Sequence, residues 1–291
     1  MCLKMIKSSF PASSIRWAFN ICDWSPTMDQ WKYCLQCVPE HEVTRCNRFV
    51  YAEDCKSSLI GQLLMRKAVN ISTGIEYDKI TFSRTQSGKP FLVGENQEKV
   101  DFNLSHNGDF CVLAAEKHFN VGVDVMKTEL RGKRPIEDFF ITMQKQFSAS
   151  EWSYIMSAGL QKEQLERFFR LWCLKESYVK AKGTGITVDL QTLSFSCLTP
   201  IVKQDEIVSD TTLTLNGALL ADWKFEEMFL DTNHYVAVAL GPTTLESKPL
   251  KNELQNFTIL TFEELMKDSI PFNKTNTEFY KLFQKESKTV I

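Results

Sequence analysis

The sequence has no long apolar run: nothing in it approaches the roughly 18 residues that a membrane-spanning helix requires, so no membrane span is expected. It also has no excess of one charge. Its 34 Lys and Arg against 36 Asp and Glu leave a net charge of −2, which argues against a general nucleic-acid binder and means that any anion site must be local. The start, MCLKMIKSSFP, lacks the apolar core of a secretory signal. Two lysines without an acid before Asp23 suggest a transit peptide only weakly, since no arginine precedes Arg16, and the expected location is the cytosol. The CxxC formed by Cys34 and Cys37 has no second pair at zinc-ribbon spacing, so it reads as a core pair rather than a metal or redox site. Nine cysteines, an odd number without a secretory signal, read as reduced and mostly buried thiols.

What is present is ordinary globular composition: 43% hydrophobic and 24% charged residues over 291 positions, enough for one large domain or two medium ones. Ser14–Ile21 reads as a strand, followed by a helix from about Thr27, its N-cap. Residues 40–72 read as one long helical region. A strand over Asp78–Thr85 leads to the turn Gln86–Pro90, and the runs Asp101–His106 and Asp109–Glu116 flank Asn107-Gly108, a strong hairpin signal. Val121–Met126 is a further strand. Helices follow near Pro135–Met143, from a capping box at Ser148-Ala149-Ser150-Glu151, and over 161–182. Strand-like segments at Thr192–Cys197, Thr211–Leu215, Trp223–Leu230 and His234–Leu240 precede a polar linker from Gly241. After it, Phe257, Ile259, Leu260, Phe262 and Leu265 restore an apolar pattern that could dock back on the body.

Weak echoes link the first and second parts. Arg48-Phe49-Val50 resembles Arg167-Phe168-Phe169, Ile80–Ser83 resembles Leu193–Ser196, and Phe110–Ala115 resembles Tyr235–Leu240, all in the same order. The fold class expected is therefore α+β, with two similar halves, 1–125 and 126–241, a linker and tail at 242–291, and a ligand site between the halves.

The segment ERFFRLWCLKESYVKAKGTG carries the chemistry. On a helix, Leu165, Phe168, Phe169, Trp172, Glu176 and Val179 share one face, bordered by Lys175 and Lys180. A carboxylate in that stripe loses solvation and needs a metal ion or an ammonium as partner; a simple Glu176–Lys180 pair four residues apart explains it equally well. The phenylalanines, Trp152 and Trp172 default to core. In Val121–Met126 the valines take one strand face, and Gly122, Asp124 and Met126 the other. Glycine beside an acid leaves room for something to approach, although an exposed edge acid also fits. Asn103 and Ser105 share a polar strand face that ends at His106, and Arg84 with Lys89 in a tight turn suits phosphate or plain solvent.

Together, SGKP, FNLSH, GVDVM and WCLKESYVKAKG, in this order and at these separations, resemble the Sfp-type 4′-phosphopantetheinyl transferases, and within them the animal broad-specificity members. The likeness runs from RWAF through DCKSSLIGQLLMRK to FTIL, sparing only the extreme start and residues about 242–255. It implies a pseudo-twofold pair of halves and transfer of the phosphopantetheine arm of coenzyme A to a carrier-protein serine, releasing 3′,5′-ADP with Mg²⁺. It implies that Asp124 and Glu176 hold the metal, two hard oxygen ligands suited to Mg²⁺. Arg45, Arg84, Lys89 and His106 match phosphate-contacting positions. Gly88, Pro90, Asn103, Leu104 and Ser105 match positions that shape the nucleotide pocket, and Lys180 matches the lysine near the bridging oxygen. Glu176 is the candidate for accepting the serine proton.

One departure stands out: bacterial members carry a second acid two residues after the first, where this chain has Met126. The implied acceptors are fatty-acid synthase carrier domains, the mitochondrial acyl carrier protein and an aminoadipate-reducing enzyme. A monomer is expected, since two halves in one chain can replace a dimer interface. The rival readings are a non-catalytic binder of coenzyme A or carrier protein, and an unrelated Mg²⁺-dependent nucleotide hydrolase.

Overall fold

The computed structural model describes residues 13–94, 100–130, 132, 134–185, 188–243, 254–274 and 285. Residues 1–12, with Cys2 and the start read above for targeting, and most of the polar stretch 242–255 lie outside the described residues. The chain runs β1 (Ser14–Asn20), α1 (Met28–Gln36), α2 (Glu40–Asn47), α3 (Ala52–Thr73), β2 (Phe82–Arg84), β3 (Pro90–Leu92), β4 (Asp101–Asn107), β5 (Phe110–Glu116) and β6 (Asn120–Lys127). It continues through α4 (Ile136–Met143), α5 (Ala149–Met156), α6 (Gln161–Lys182), β7 (Leu193–Ser196), β8 (Thr212–Leu215), β9 (Ala218–Leu219), β10 (Lys224–Phe229), β11 (His234–Gly241), β12 (Thr258–Ile259) and α7 (Phe262–Met266). The class is α+β.

The sheets repeat one plan. A strand, a 22-residue helix, a small hairpin and two antiparallel strands occur first as β1, α3, β2–β3 and β4–β5. They recur as β6, α6, β7–β8 and β10–β11, again with a helix of 22 residues. In both halves the first strand pairs with the last and the last with the penultimate, giving the orders β1-β5-β4 and β6-β11-β10. Both long helices end on a glycine in the left-handed region, Gly74 (φ 74°) and Gly183 (φ 68°), which stops them without steric cost. Of the three sequence echoes, the second and third fall on equivalent strands. The first does not, because Arg48–Val50 lies between helices while Arg167–Phe169 lies inside α6. Strand β6 runs across position 125, where the sequence division was drawn.

Two further expectations need correction. The region 40–72 is not one helix: α2 closes with the Arg48 and Phe49 amides donating three residues back, and the aromatic and β-branched run Phe49-Val50-Tyr51 does not favour continuing it. The hairpin turn is centred on Gly108-Asp109, with Asn107 paired to Phe110, so the glycine takes the first central position of the loop at φ 58°.

The halves are joined by an apolar layer in which Phe110, Val112 and Ala114 meet Val121, Val123, Val125, Val236 and Val238. Beside it the buried Arg16 guanidinium on β1 donates to Glu116 at 2.6 Å and to Glu226 of the second half at 3.1 Å. Removing one member of such a buried group costs about 3–5 kcal/mol, so the triad fixes how the sheets sit. The apolar residues after the linker return to the first half. There β12 pairs parallel to β1 (Trp17 opposite Thr258), Phe262 stacks on Trp24 at 5.6 Å, and Leu265 is fully buried. Six of the eight described cysteines are buried, Cys34 and Cys37 among them, and none is in a disulfide.

Candidate active site

The site begins where α6 crosses β6. A Cβ added to Gly122 would lie 2.0 Å from the Ser177 carbonyl oxygen and 2.3 Å from the Ala181 nitrogen. What approaches beside the acid is therefore the helix main chain itself. With glycine there, α6 lies against the face of β6 that carries Asp124, while the three valines face the opposite way into the layer between sheets. The buried Cys173 thiol of α6 donates to the Asp124 carbonyl oxygen at 2.9 Å and fixes the same contact from the other element.

Asp124 is nearly fully buried, and its two oxygens differ. Oδ1 accepts from the Lys180 ammonium at 2.6 Å and from the Ser105 hydroxyl at 2.7 Å. Oδ2 is buried and has no hydrogen-bond partner among the described residues. Glu176, one helical turn before Lys180, lines the same cleft. Burial, then the charge of Asp124, push the Glu176 carboxyl above its ordinary value, and Lys180 opposes them. A buried carboxylate oxygen without a partner among the described residues, in a cleft shared with a second acid that is disfavoured as an anion, is a donor set that a divalent cation would complete. Among the described residues no group of three or more His, Cys, Asp or Glu could hold a metal, so such an ion would rest on these two carboxylates. Met126 lines the cleft where the additional acid of bacterial members would stand.

On the side of the first half the cleft opens into a pocket of about 410 Å³. Arg45, Arg84, Gly88, Lys89, Pro90, Asn103, Leu104, His106, Glu176 and Lys180 all line it. Its cations are held in place: Arg45 by Glu42 (2.6 Å) and Ser58 (2.7 Å), Arg84 by the Gly88 carbonyl (3.0 Å), and Lys89 by Asp101 (2.7 Å). On the other side, Met126, Leu130, Phe139, Met143, Phe168, Phe169 and Trp172, together with Asn107, Lys127 and Glu129, line a mostly apolar groove of about 360 Å³, which shares Asn107, Met126 and Trp172 with the cleft.

Three expectations change here. Ser105 lines the cleft rather than the large pocket, and its hydroxyl holds Asp124, whereas its neighbours Asn103, Leu104 and His106 line the large pocket. Lys175 does not border the stripe but is fully buried, bound to Glu151 at 2.8 Å and to the Leu190 and Leu193 carbonyls. Lys180 pairs with Asp124, not with Glu176 as in the simple helix-pair reading.

Trp172 packs against the core of the second half, as its residue type suggests, and is also half-buried at the cleft; the sequence reading missed the wall supplied by α3: Asp54, Ser57, Ser58, Gly61, Gln62 and Met65. One signal was available. Gly61 interrupts an otherwise strong helix former, and a Cβ there would lie 2.6 Å from Leu104, marking a close approach to β4.

Comparison with known proteins bears on this geometry. A family model described as the N-terminal part of 4′-phosphopantetheinyl transferase matches residues 22–118, and a second, described as the 4′-phosphopantetheinyl transferase superfamily, matches residues 120–239. A Xenopus laevis protein named L-aminoadipate-semialdehyde dehydrogenase-phosphopantetheinyl transferase is 38% identical over 282 residues, covering 94% of this chain and 93% of its own. The Homo sapiens protein of the same name is 36% identical over 283 residues, 92% of this chain and 90% of its own. The 4′-phosphopantetheinyl transferase Sfp of Bacillus subtilis is 29% identical over 150 residues, 52% of this chain and 62% of its own.

Proposed function

The chain belongs to the 4′-phosphopantetheinyl transferase superfamily, and we propose that its cleft moves the phosphopantetheine arm of coenzyme A to a serine of apo carrier proteins with Mg²⁺ held by Asp124 and Glu176. The single observation that carries the metal assignment is the buried, unpartnered Oδ2 of Asp124 in the cleft shared with Glu176. When bound, Mg²⁺ supplies positive charge to the pyrophosphate as the nucleotide departs.

The chain's own groups do the rest. Arg45, Arg84, Lys89 and His106 hold the nucleotide phosphates in the large pocket. The serine Oγ forms the new bond to the β-phosphorus as the bond from that phosphorus to the 3′,5′-ADP oxygen breaks. Glu176 accepts the serine proton, a role favoured by the burial that raises its affinity for protons. Lys180 neutralises charge on the leaving oxygen. In-line displacement brings the serine from the side opposite the nucleotide, which is the side of the apolar groove, so a carrier protein rests its apolar surface there. The acceptors proposed are fatty-acid synthase carrier domains, the mitochondrial acyl carrier protein and an aminoadipate-reducing enzyme; the names of the frog and human relatives support the last.

The deciding experiment incubates the protein with coenzyme A, Mg²⁺ and each apo acceptor and weighs the acceptor. A gain of one phosphopantetheine is expected. Release of 3′,5′-ADP with the acceptor unchanged would identify a hydrolase, and binding without turnover a regulator. Asp124→Ala is expected to raise the Mg²⁺ concentration for half-maximal transfer by about tenfold or more; a titration curve that overlays the wild type removes Asp124 from the metal. Met143→Asp, in the groove, is expected to raise the KM for apo carrier about tenfold, the scale of one buried side chain, and to spare the KM for coenzyme A. Equal effects on both would mean the groove does not seat the acceptor.

A further inference from the structure

The seam between the two sheets runs along β4 and β6, and it is not a backbone ladder. These strands are not hydrogen-bonded neighbours in either sheet. Instead, side chains of β4 accept from main-chain N–H groups of β6. Asp101 Oδ2 accepts from Val121 at 2.7 Å, Asn103 Oδ1 from Val123 at 3.0 Å, and Asn107 Oδ1 from Lys127 at 3.0 Å. Each donor lies twenty residues after its acceptor, so the strands run parallel in constant register. Alternation along β4 turns every second residue from 101 to 107 toward β6.

The series has one gap. Ser105, which by register faces Val125, gives its hydroxyl to Asp124 Oδ1. The seam thus grips the β6 main chain on both sides of the acid and, at the missing rung, grips the acid itself. Interposing a side chain also sets the strands further apart than the roughly 4.8 Å of direct pairing. That width admits the Lys180 ammonium, which reaches Ser105 Oγ at 2.8 Å and the Val123 carbonyl at 3.3 Å.

We propose that Asn103 and Asn107 are positioning residues: they hold β6 at Val123 and Lys127 so that the unpartnered Oδ2 of Asp124 is aimed at a divalent cation. The inference rests on the reading of Asp124 as a metal ligand. Both asparagines act only as acceptors in these bonds, so an aspartate can replace them there, as Asp101 already does on the same strand.

The test measures Mn²⁺ binding to the coenzyme A-loaded protein by titration calorimetry, beside coenzyme A affinity without metal and the melting temperature. Asn107→Ala is expected to weaken Mn²⁺ about tenfold, the scale of one hydrogen bond left unmade, while metal-free coenzyme A affinity holds; Asn103 also lines the large pocket, so a variant there would move both readouts. Asn107→Asp is expected to restore Mn²⁺ affinity relative to Asn107→Ala. Asn107 sits at the half-exposed end of the seam and outside the large pocket, so its variants report on the seam and leave the nucleotide contacts in place. Wild-type Mn²⁺ affinity in Asn107→Ala, or a loss that Asn107→Asp does not repair, overturns the proposal. Asp124→Ala is measured alongside: if it binds Mn²⁺ as tightly as wild type, the metal reading itself has failed, independently of the asparagines.

Discussion

Gly122→Ala is expected to remove most of the transfer activity with one methyl group. The new Cβ would meet the Ser177 oxygen at 2.0 Å, the Ala181 nitrogen at 2.3 Å and the Ala181 Cα at 2.9 Å. All three are main-chain atoms of a helix, which cannot step aside as a rotamer can, so α6 must lift from β6. Overpacking of this kind costs roughly 1–3 kcal/mol of stability. Catalysis suffers more, because Asp124 rides on one element and Glu176 and Lys180 on the other. A misplacement of about 1 Å can lower turnover about a hundredfold. We therefore expect kcat/KM to fall at least about a hundredfold in a variant that still melts cooperatively. Near-wild-type kcat/KM in that variant would mean that this contact does not set the site's geometry.

Glu176→Gln is expected to do the opposite to stability. The carboxylate is half-buried and disfavoured as an anion by burial and by Asp124, so a neutral isostere should leave the melting temperature unchanged or raise it. Transfer should fall by about a thousandfold, within the 10²–10⁴ range of a general base. Coenzyme A binding measured without metal should survive, since the nucleotide phosphates are held by the cations of the pocket. Turnover within a few fold of wild type would remove Glu176 from the chemistry. Taken together, the two variants separate geometry from charge: one moves the carboxylate, the other keeps its place and deletes its ionisation.

What the sequence made legible follows from how local each signal was. Strand parity put Asp124 and Gly122 on one face and the valines on the other, and the structure keeps that division because an alternation of two needs no tertiary information. The N-cap at Thr27 and the capping box at Ser148 begin their helices as read, for the same reason. The stripe on α6 was less informative, because β6, β11 and the β7 hairpin surround that helix and bury residues on several faces. Lys175 lies in the core and Glu176 at the cleft, though a simple stripe suggests the reverse. Pairings across the fold were out of reach. Nothing near Lys180 announces Asp124, 56 positions earlier, and nothing near Lys175 announces Glu151. The alternating Asp, Asn, Ser and Asn of β4 could be seen as a polar face, but only the register with β6 shows what that face holds.

The return of β12 and α7 to the first half inverts the order of assembly. A ribosome releases β1 and α3 early, yet the edge of β1 that Thr258 and Ile259 cover, and the space that Leu265 fills, wait until those later residues are made. The second sheet needs no such delay, because β6, β10 and β11 all emerge before residue 242. The half made first is thus completed last. A nick or premature stop just ahead of Phe257 would spare the later-made sheet and leave the earlier one open to proteases and to aggregation.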